Sequence, residues 1–169
     1  MNLYKLMTAT DVLLMSFAMG TLVMAADLPK EGTLSGTYTS FGSYKVLKVG
    51  DRSFTIFDET GGQVTNGFAD HLTVHCWGTG EEINGVTANH GYCVGIDPAG
   101  DQLALTFSGE KYTVKDLISK GTTTYVSGTG KFAGVSGTAS YTNHAREFKA
   151  LTEGTYVDYV TFEGNYKLP

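Results

Sequence analysis

Between Ser127 and Thr142 the chain reads S-G-T-G-K-F-A-G-V-S-G-T-A-S-Y-T, with glycines at 128, 130, 134 and 137 punctuating two short runs rich in Thr, Ser and aromatics. β-Branched and aromatic side chains favour a pleated, half-buried surface. The glycines permit positive φ or close backbone approach. This spacing predicts two extended strands joined by a tight connection, with Phe132 packing inward. It is a fold signal, and nothing of comparable strength in the chain signals chemistry.

The rest of the chain repeats the theme. Strands are expected at Gly32 to Thr39, Tyr44 to Val49 and Arg52 to Phe57, with Gly50-Asp51 as a hairpin turn and Gly61-Gly62 as a further turn or bulge. Phe68 to Trp77 reads as a strand, Gly78 to Gly85 as a polar loop, and Ala88 to Ile96 as the next strand. The turn Asp97-Pro98-Ala99-Gly100 then leads into Asp101 to Phe107, where Leu103, Leu105 and Phe107 alternate with Gln102, Ala104 and Thr106. Tyr112 to Val114 extends the sheet, and Val114 to Ser119 suits one helical turn. Thr122 to Val126, Lys131 to Ala133, Gly137 to Thr142 and Thr155 to Phe162 complete the series, with Asn143 to Glu153 as an exposed loop. Short antiparallel strands at this spacing predict an all-β fold, a single antiparallel β-barrel of about eight strands, with a β-sandwich as the alternative.

The motif G-T-G-K-F-x-G followed by S-G-T-x-S-Y resembles the glycine-rich strand pair of the allene oxide cyclase and dirigent barrel group. A second block, Cys76-Trp77-Gly78 through Gly91-Tyr92-Cys93 to Asp97-Pro98-Ala99-Gly100-Asp101, resembles exported bacterial members of that group. The two blocks span about half of the chain beyond its leader. The resemblance implies a calycin-like barrel. Outside these blocks the chain does not align to the cyclase or dirigent active sites, so the resemblance assigns no catalytic residue.

Met1 to Lys5 is short and weakly positive, Val12 to Met24 is apolar apart from Ser16, Gly20 and Thr21, and Val23-Met24-Ala25 supplies small residues where a signal peptidase reads. Residues 1–25 are therefore expected to be a cleaved signal peptide, with cleavage after Ala26 as the alternative. The protein is expected to be exported, to a periplasmic or extracellular location. The apolar run is too short for a spanning helix, which needs about 20 residues, so no membrane insertion is expected after cleavage. Residues 26–169 suffice for one domain with its own core. The net charge is −5, and the basic residues are dispersed. Nucleic acid and anionic lipid are thus poor partners.

The only two cysteines, Cys76 and Cys93, read as a disulfide in an oxidising compartment. The competing reading is a nucleophile or metal ligand. If the two face each other on adjacent antiparallel strands, they share a sheet face with Leu72 and Val74 on the core side. Period-two alternation then puts His71, Thr73, His75, Trp77, His90 and Tyr92 on the other face. Trp77, His75, His90 and Tyr92 are accordingly the candidate binding residues, for a small apolar ligand or for another subunit in a homo-oligomer. The alternative is a plain wet outer face. A metal site there is disfavoured, because His71 and His75 lie about 13 Å apart along a strand and zinc ligands sit about 2.0–2.1 Å from the ion.

Asp97-Pro98-Ala99-Gly100-Asp101 lacks the spaced oxygens of a calcium loop and reads as a hairpin turn. Ser108-Gly109-Glu110-Lys111 lacks the helix and partner motifs of S-x-x-K chemistry, and Gly128-Thr129-Gly130-Lys131 lacks phosphate-loop spacing. Of Asp158 and Glu163 on the last strand, opposite parity lets at most one point into a barrel. No cofactor is implied. Three functions follow in order of preference: a non-enzymatic exported barrel binding a small apolar or aromatic ligand or a protein partner, an isomerase or cyclase working in the barrel cavity, and a small outer-membrane barrel. The last is disfavoured by strands rich in Thr, Ser and Gly.

Overall fold

The computed structural model describes residues 28–113, 115–116, 118–144 and 148–169. The expected signal peptide lies outside these residues. Nine strands follow in chain order: β1 (Glu31–Val49), β2 (Arg52–Thr65), β3 (Leu72–Ile83), β4 (Val86–Ile96), β5 (Gln102–Gly109), β6 (Tyr112–Thr113), β7 (Ser119–Gly128), β8 (Ser136–Asn143) and β9 (Thr155–Lys167). They pair in the order β3-β2-β1-β9-β8-β7-β5-β4, all antiparallel, and β3 pairs with β4 to close the ring. The result is an eight-stranded antiparallel barrel, with β6 as a two-residue addition to β4. Closure leaves no open sheet edge. The barrel holds and the sandwich does not.

The strands are longer than the sequence suggested. β1 runs unbroken from Glu31 to Val49, and β2 continues through Gly61-Gly62 to Thr65. Gly61 is not a turn but a contact point: a Cβ there would lie 2.0 Å from the Thr39 carbonyl oxygen. Its missing side chain lets β2 approach β1 closely where the wall bends. Gly78 to Ile83, expected as a loop, is strand, and the β3–β4 turn is confined to Asn84 and Gly85. Phe68 to His71 is in turn not strand. Positive φ at Gly67, Ala69 and His71 folds this segment across the barrel end, held by Thr65 Oγ1 donating to the Phe68 carbonyl (2.7 Å) and Gln63 Nε2 to that of Ala69 (2.9 Å).

Phe68 thereby becomes part of a plug. It stacks on Tyr166 with centroids 3.9 Å apart and meets Phe132 and Tyr125 edge-on. Leu34, Leu72, Leu103 and Val135 complete this buried end. Phe132 is fully buried, as expected, but Lys131 to Ala133 is not the expected strand: Gly130–Phe132 forms a 3-10 turn between β7 and β8. Gly130, Gly134 and Gly137 all adopt positive φ there, which explains their spacing. The turn after Asp97 is also as expected, with Asp97 Oδ1 accepting from the amides of Ala99 and Asp101 (2.9 and 2.8 Å). Lys131 reaches the buried Asp97 carboxylate at 2.5 Å, tying this turn to the β7–β8 connection. Around β7–β9 the outward side chains Lys120, Thr122, Thr124, Thr138, Ser140 and Glu163 are exposed and polar, whereas β1 and β2 expose the apolar Phe41, Leu47, Ile56 and Val64.

Candidate functional site

The plug fills one end of the barrel only. At the other end lies a cavity of about 550 Å³, within the 300–1,000 Å³ range usual for small-molecule sites. Period-two alternation aims one side chain in two at it from every long strand. Tyr38 and Tyr44 come from β1, Phe57 and Glu59 from β2, Leu105 and Phe107 from β5, Tyr125 from β7, Tyr141 and Asn143 from β8, and Tyr156 and Asp158 from β9. Phe148 and Ala150, from the segment expected as an exposed loop, line it as well.

Register places its polar centre. Ser40 on β1 is the cross-strand partner of Asp158, and Gly42 is the partner of both Glu59 and Tyr156. A Cβ on Gly42 would fall 2.3 Å from the Tyr156 ring. The glycine thus lets Tyr156 lie over β1 towards Glu59. Ser40 Oγ donates to Glu59 Oε2 at 3.1 Å, and Asn143 Nδ2 donates to Asp158 Oδ2 at 3.0 Å. Ser40, Glu59 and Asp158 are all buried. Towards the mouth, Tyr44 and Tyr156 sit 6.3 Å apart and Phe57 and Phe107 6.0 Å apart, forming an aromatic collar.

Both carboxyl groups titrate above their ordinary range. Burial is the main cause for Glu59, and the nearby charge of Asp158 adds to it. Burial also raises Asp158, while hydrogen bonds from Glu59 and Asn143 hold it below its neighbour. Desolvation of the charged form is the physical reason. Burial and the Glu59 charge likewise push the Tyr38 and Tyr156 hydroxyls well above the usual phenol value. The Tyr38 hydroxyl is close enough to feel Ser40 and Glu59, yet neither it nor Asp158 Oδ1 finds a partner in hydrogen-bond geometry.

The disulfide joins Cys76 and Cys93, directly opposed on β3 and β4 with Cα atoms 4.0 Å apart. Both sulfur-bearing side chains face the barrel interior with Leu72 and Val74. His75, Trp77, His90 and Tyr92 consequently point outwards. Trp77 and Tyr92 stack at 6.4 Å, His75 meets the Trp77 ring edge at 5.5 Å and bonds Asp58 at 2.8 Å, and His90 contacts Thr79 at 3.3 Å one pair further along. The four candidate residues do share one outer face, separated from the cavity by the barrel wall. Among the described residues no three His, Cys, Asp or Glu side chains cluster in a metal-binding arrangement.

Asp158 enters the cavity and Glu163 faces solvent. Sequence reasoning missed Glu59, Tyr38, Ser40 and Tyr156. The usable signal was parity: Glu59 continues the inward series of Phe57 once β2 is allowed to pass through Gly61.

Among solved structures the chain is similar to a pterocarpan synthase dirigent protein, at TM-score 0.50 and 13% identity over 98% of each chain. The fold is a dirigent-like barrel. No protein-family model and no curated protein matches the sequence. No helix among the described residues is long and apolar enough to cross a membrane.

Proposed function

We propose that this is an exported barrel protein that binds a small, largely apolar or aromatic ligand inside its open end. The observation that carries the reading is the cavity itself: about 550 Å³, walled by aromatic side chains and floored by a few convergent polar groups. Such a lining excludes water from most of a ligand and fixes its orientation through one or two hydrogen bonds. The internal disulfide fits an oxidising compartment. Titration with the indole alcohol tryptophol, followed by calorimetry, tests the reading. Leu105→Trp, which fills the cavity, is expected to abolish binding, and Trp77→Ala on the outer face to leave it unchanged. Binding that survives Leu105→Trp and is lost in Trp77→Ala would move the site to the outer face.

A second reading, an isomerase or cyclase, is favoured by one observation. Glu59 and Asp158 share one buried chamber and both hold their protons above the ordinary carboxylate range, and a carboxyl pair that gives up its protons in two steps can serve as acid and base. The solved neighbour is itself described as a synthase. Exchange of the α-protons of 2-tetralone, an aromatic ketone, measures this directly by NMR. An exchange rate equal in the wild type and in Glu59→Gln removes the reading.

A further inference from the structure

We propose that the cavity selects ligands carrying a protonated amine on an aromatic or apolar body, with the Glu59 and Asp158 carboxyl groups as its counter-ion. This rests on the ligand-binding reading above and names the group that enters first.

The argument begins with charge. Besides the pair, the titratable and amide groups of the lining are Tyr38 and Tyr44 from β1, Gln63 from β2, Asn89 from β4, Tyr112 from β6, Tyr125 from β7, Tyr141 and Asn143 from β8 and Tyr156 from β9, and Ser40 bonds Glu59. All are acids or neutral. Among the described residues no Lys, Arg or His lines the cavity. Buried charges in proteins are normally paired, and here two carboxyls face one chamber with no cation among the described residues. Ser40 donates to Glu59 and Asn143 to Asp158, Tyr156 adds a hydrogen bond to Glu59, and the two carboxyls share one with each other. Asp158 is 4% exposed and its Oδ1 still has no hydrogen-bond partner, and the Tyr38 hydroxyl is equally unmatched.

An ammonium group presents three donors and no acceptor, which is the complement of this set. A carboxylate ligand would add a third negative group to the chamber, and a neutral alcohol brings one donor and no charge. The collar of Tyr44, Phe57, Phe107 and Tyr156 lies between the carboxyls and the mouth. Ring faces attract a desolvated cation, so the approach route favours the same ligand as the floor. A cation beside the pair also favours its ionised form. Amine binding near neutral pH is therefore accompanied by release of a proton from the pair.

Tryptamine, tryptophol and indole-3-propionate share one ring system and differ in the charge of the tail. Calorimetric titration of the whole protein at pH 7, in phosphate and in Tris, compares their affinities and counts protons released. Tryptamine is expected to bind more tightly than tryptophol by about tenfold or more, equivalent to about 1.4 kcal/mol, with indole-3-propionate weakest and proton release seen with tryptamine alone. The Glu59→Gln/Asp158→Asn double variant is expected to bind tryptamine and tryptophol within about twofold of each other. Should that variant fail to fold, the wild type decides: tryptamine affinity falls from pH 8 to pH 5 while tryptophol affinity stays level. Equal affinities in the wild type, or an amine preference that survives the double variant or the drop in pH, overturn the proposal. Tryptophol binding without amine preference sinks it and leaves the cavity reading standing, whereas binding of none of the three sinks both.

Discussion

Glu59 and Asp158 show what a closed barrel does to individual side chains. On an isolated strand each would be solvated. In the ring they share a chamber with hydroxyls and aromatic rings, and both bind protons more tightly than in the unfolded chain. The sign of the linkage follows. The folded state holds more protons, so this contribution to stability is complete below the ordinary carboxylate range and is lost as pH rises through about 6 for Asp158 and about 8 for Glu59. The ligand-free protein should therefore melt at lower temperature at pH 8.5 than at pH 5, and Glu59→Gln should flatten the upper part of that decline. Thermal melts across pH, read by circular dichroism, check this; an unchanged slope would show that Glu59 ionises freely. A second residue-scale expectation concerns Gly61. Gly61→Val would drive its side chain into Thr39 and Ser40, and overpacking of this kind costs about 1–3 kcal/mol or more. Urea unfolding measures it.

At the scale of elements, the disulfide and the plug hold the two ends of the wall. Cys76 and Cys93 close a short loop, for which the chain-entropy account gives about 3 kcal/mol. The Cys76→Ser/Cys93→Ser variant should lose about that much in denaturant unfolding, while retaining the strand signature in its far-ultraviolet spectrum. Phe132 is buried among Phe68, Tyr125 and Tyr166, and Phe132→Ala is expected to cost about 3–5 kcal/mol. These elements also mark where the sequence was legible. The turns at Asp97 to Gly100 and in the Ser127–Thr142 block could be read because each depends on residues a few positions apart. The lengths of β1 and β2 could not. Gly42 and Gly61 look like punctuation locally, and only their pairing with Tyr156 and Ser40 on neighbouring strands turns them into places where the wall needs no side chain.

For the whole molecule, alternation alone sorts residues into two sets without saying which set faces a cavity. The cysteine pair made the grouping of His75, Trp77, His90 and Tyr92 on one face of β3 and β4 legible, while which face points inward was decided by the closed ring. For β1, β2 and β9 no such marker exists, and the convergence of Ser40, Glu59, Tyr156 and Asp158 depends on the register of the β1–β2 hairpin against β9, far away in sequence. The expected export makes one further claim at this scale. The protein recovered outside the cytoplasm should begin at Ala26 or Asp27, and intact mass before and after reduction reports that start together with the disulfide.

What was legible in the sequence was a β chain with glycine-spaced turns and one disulfide between neighbouring strands. These features arise from local propensity, from period-two alternation and from cysteine chemistry, all of which act over short stretches or a single pair. Tertiary structure alone decided that the ring closes between β3 and β4, that Phe68 and Phe132 plug one end, and that the other end stays hollow around two carboxyl groups. Those outcomes depend on strand register and on the fit of side chains across the ring, and both are settled only when all eight strands meet.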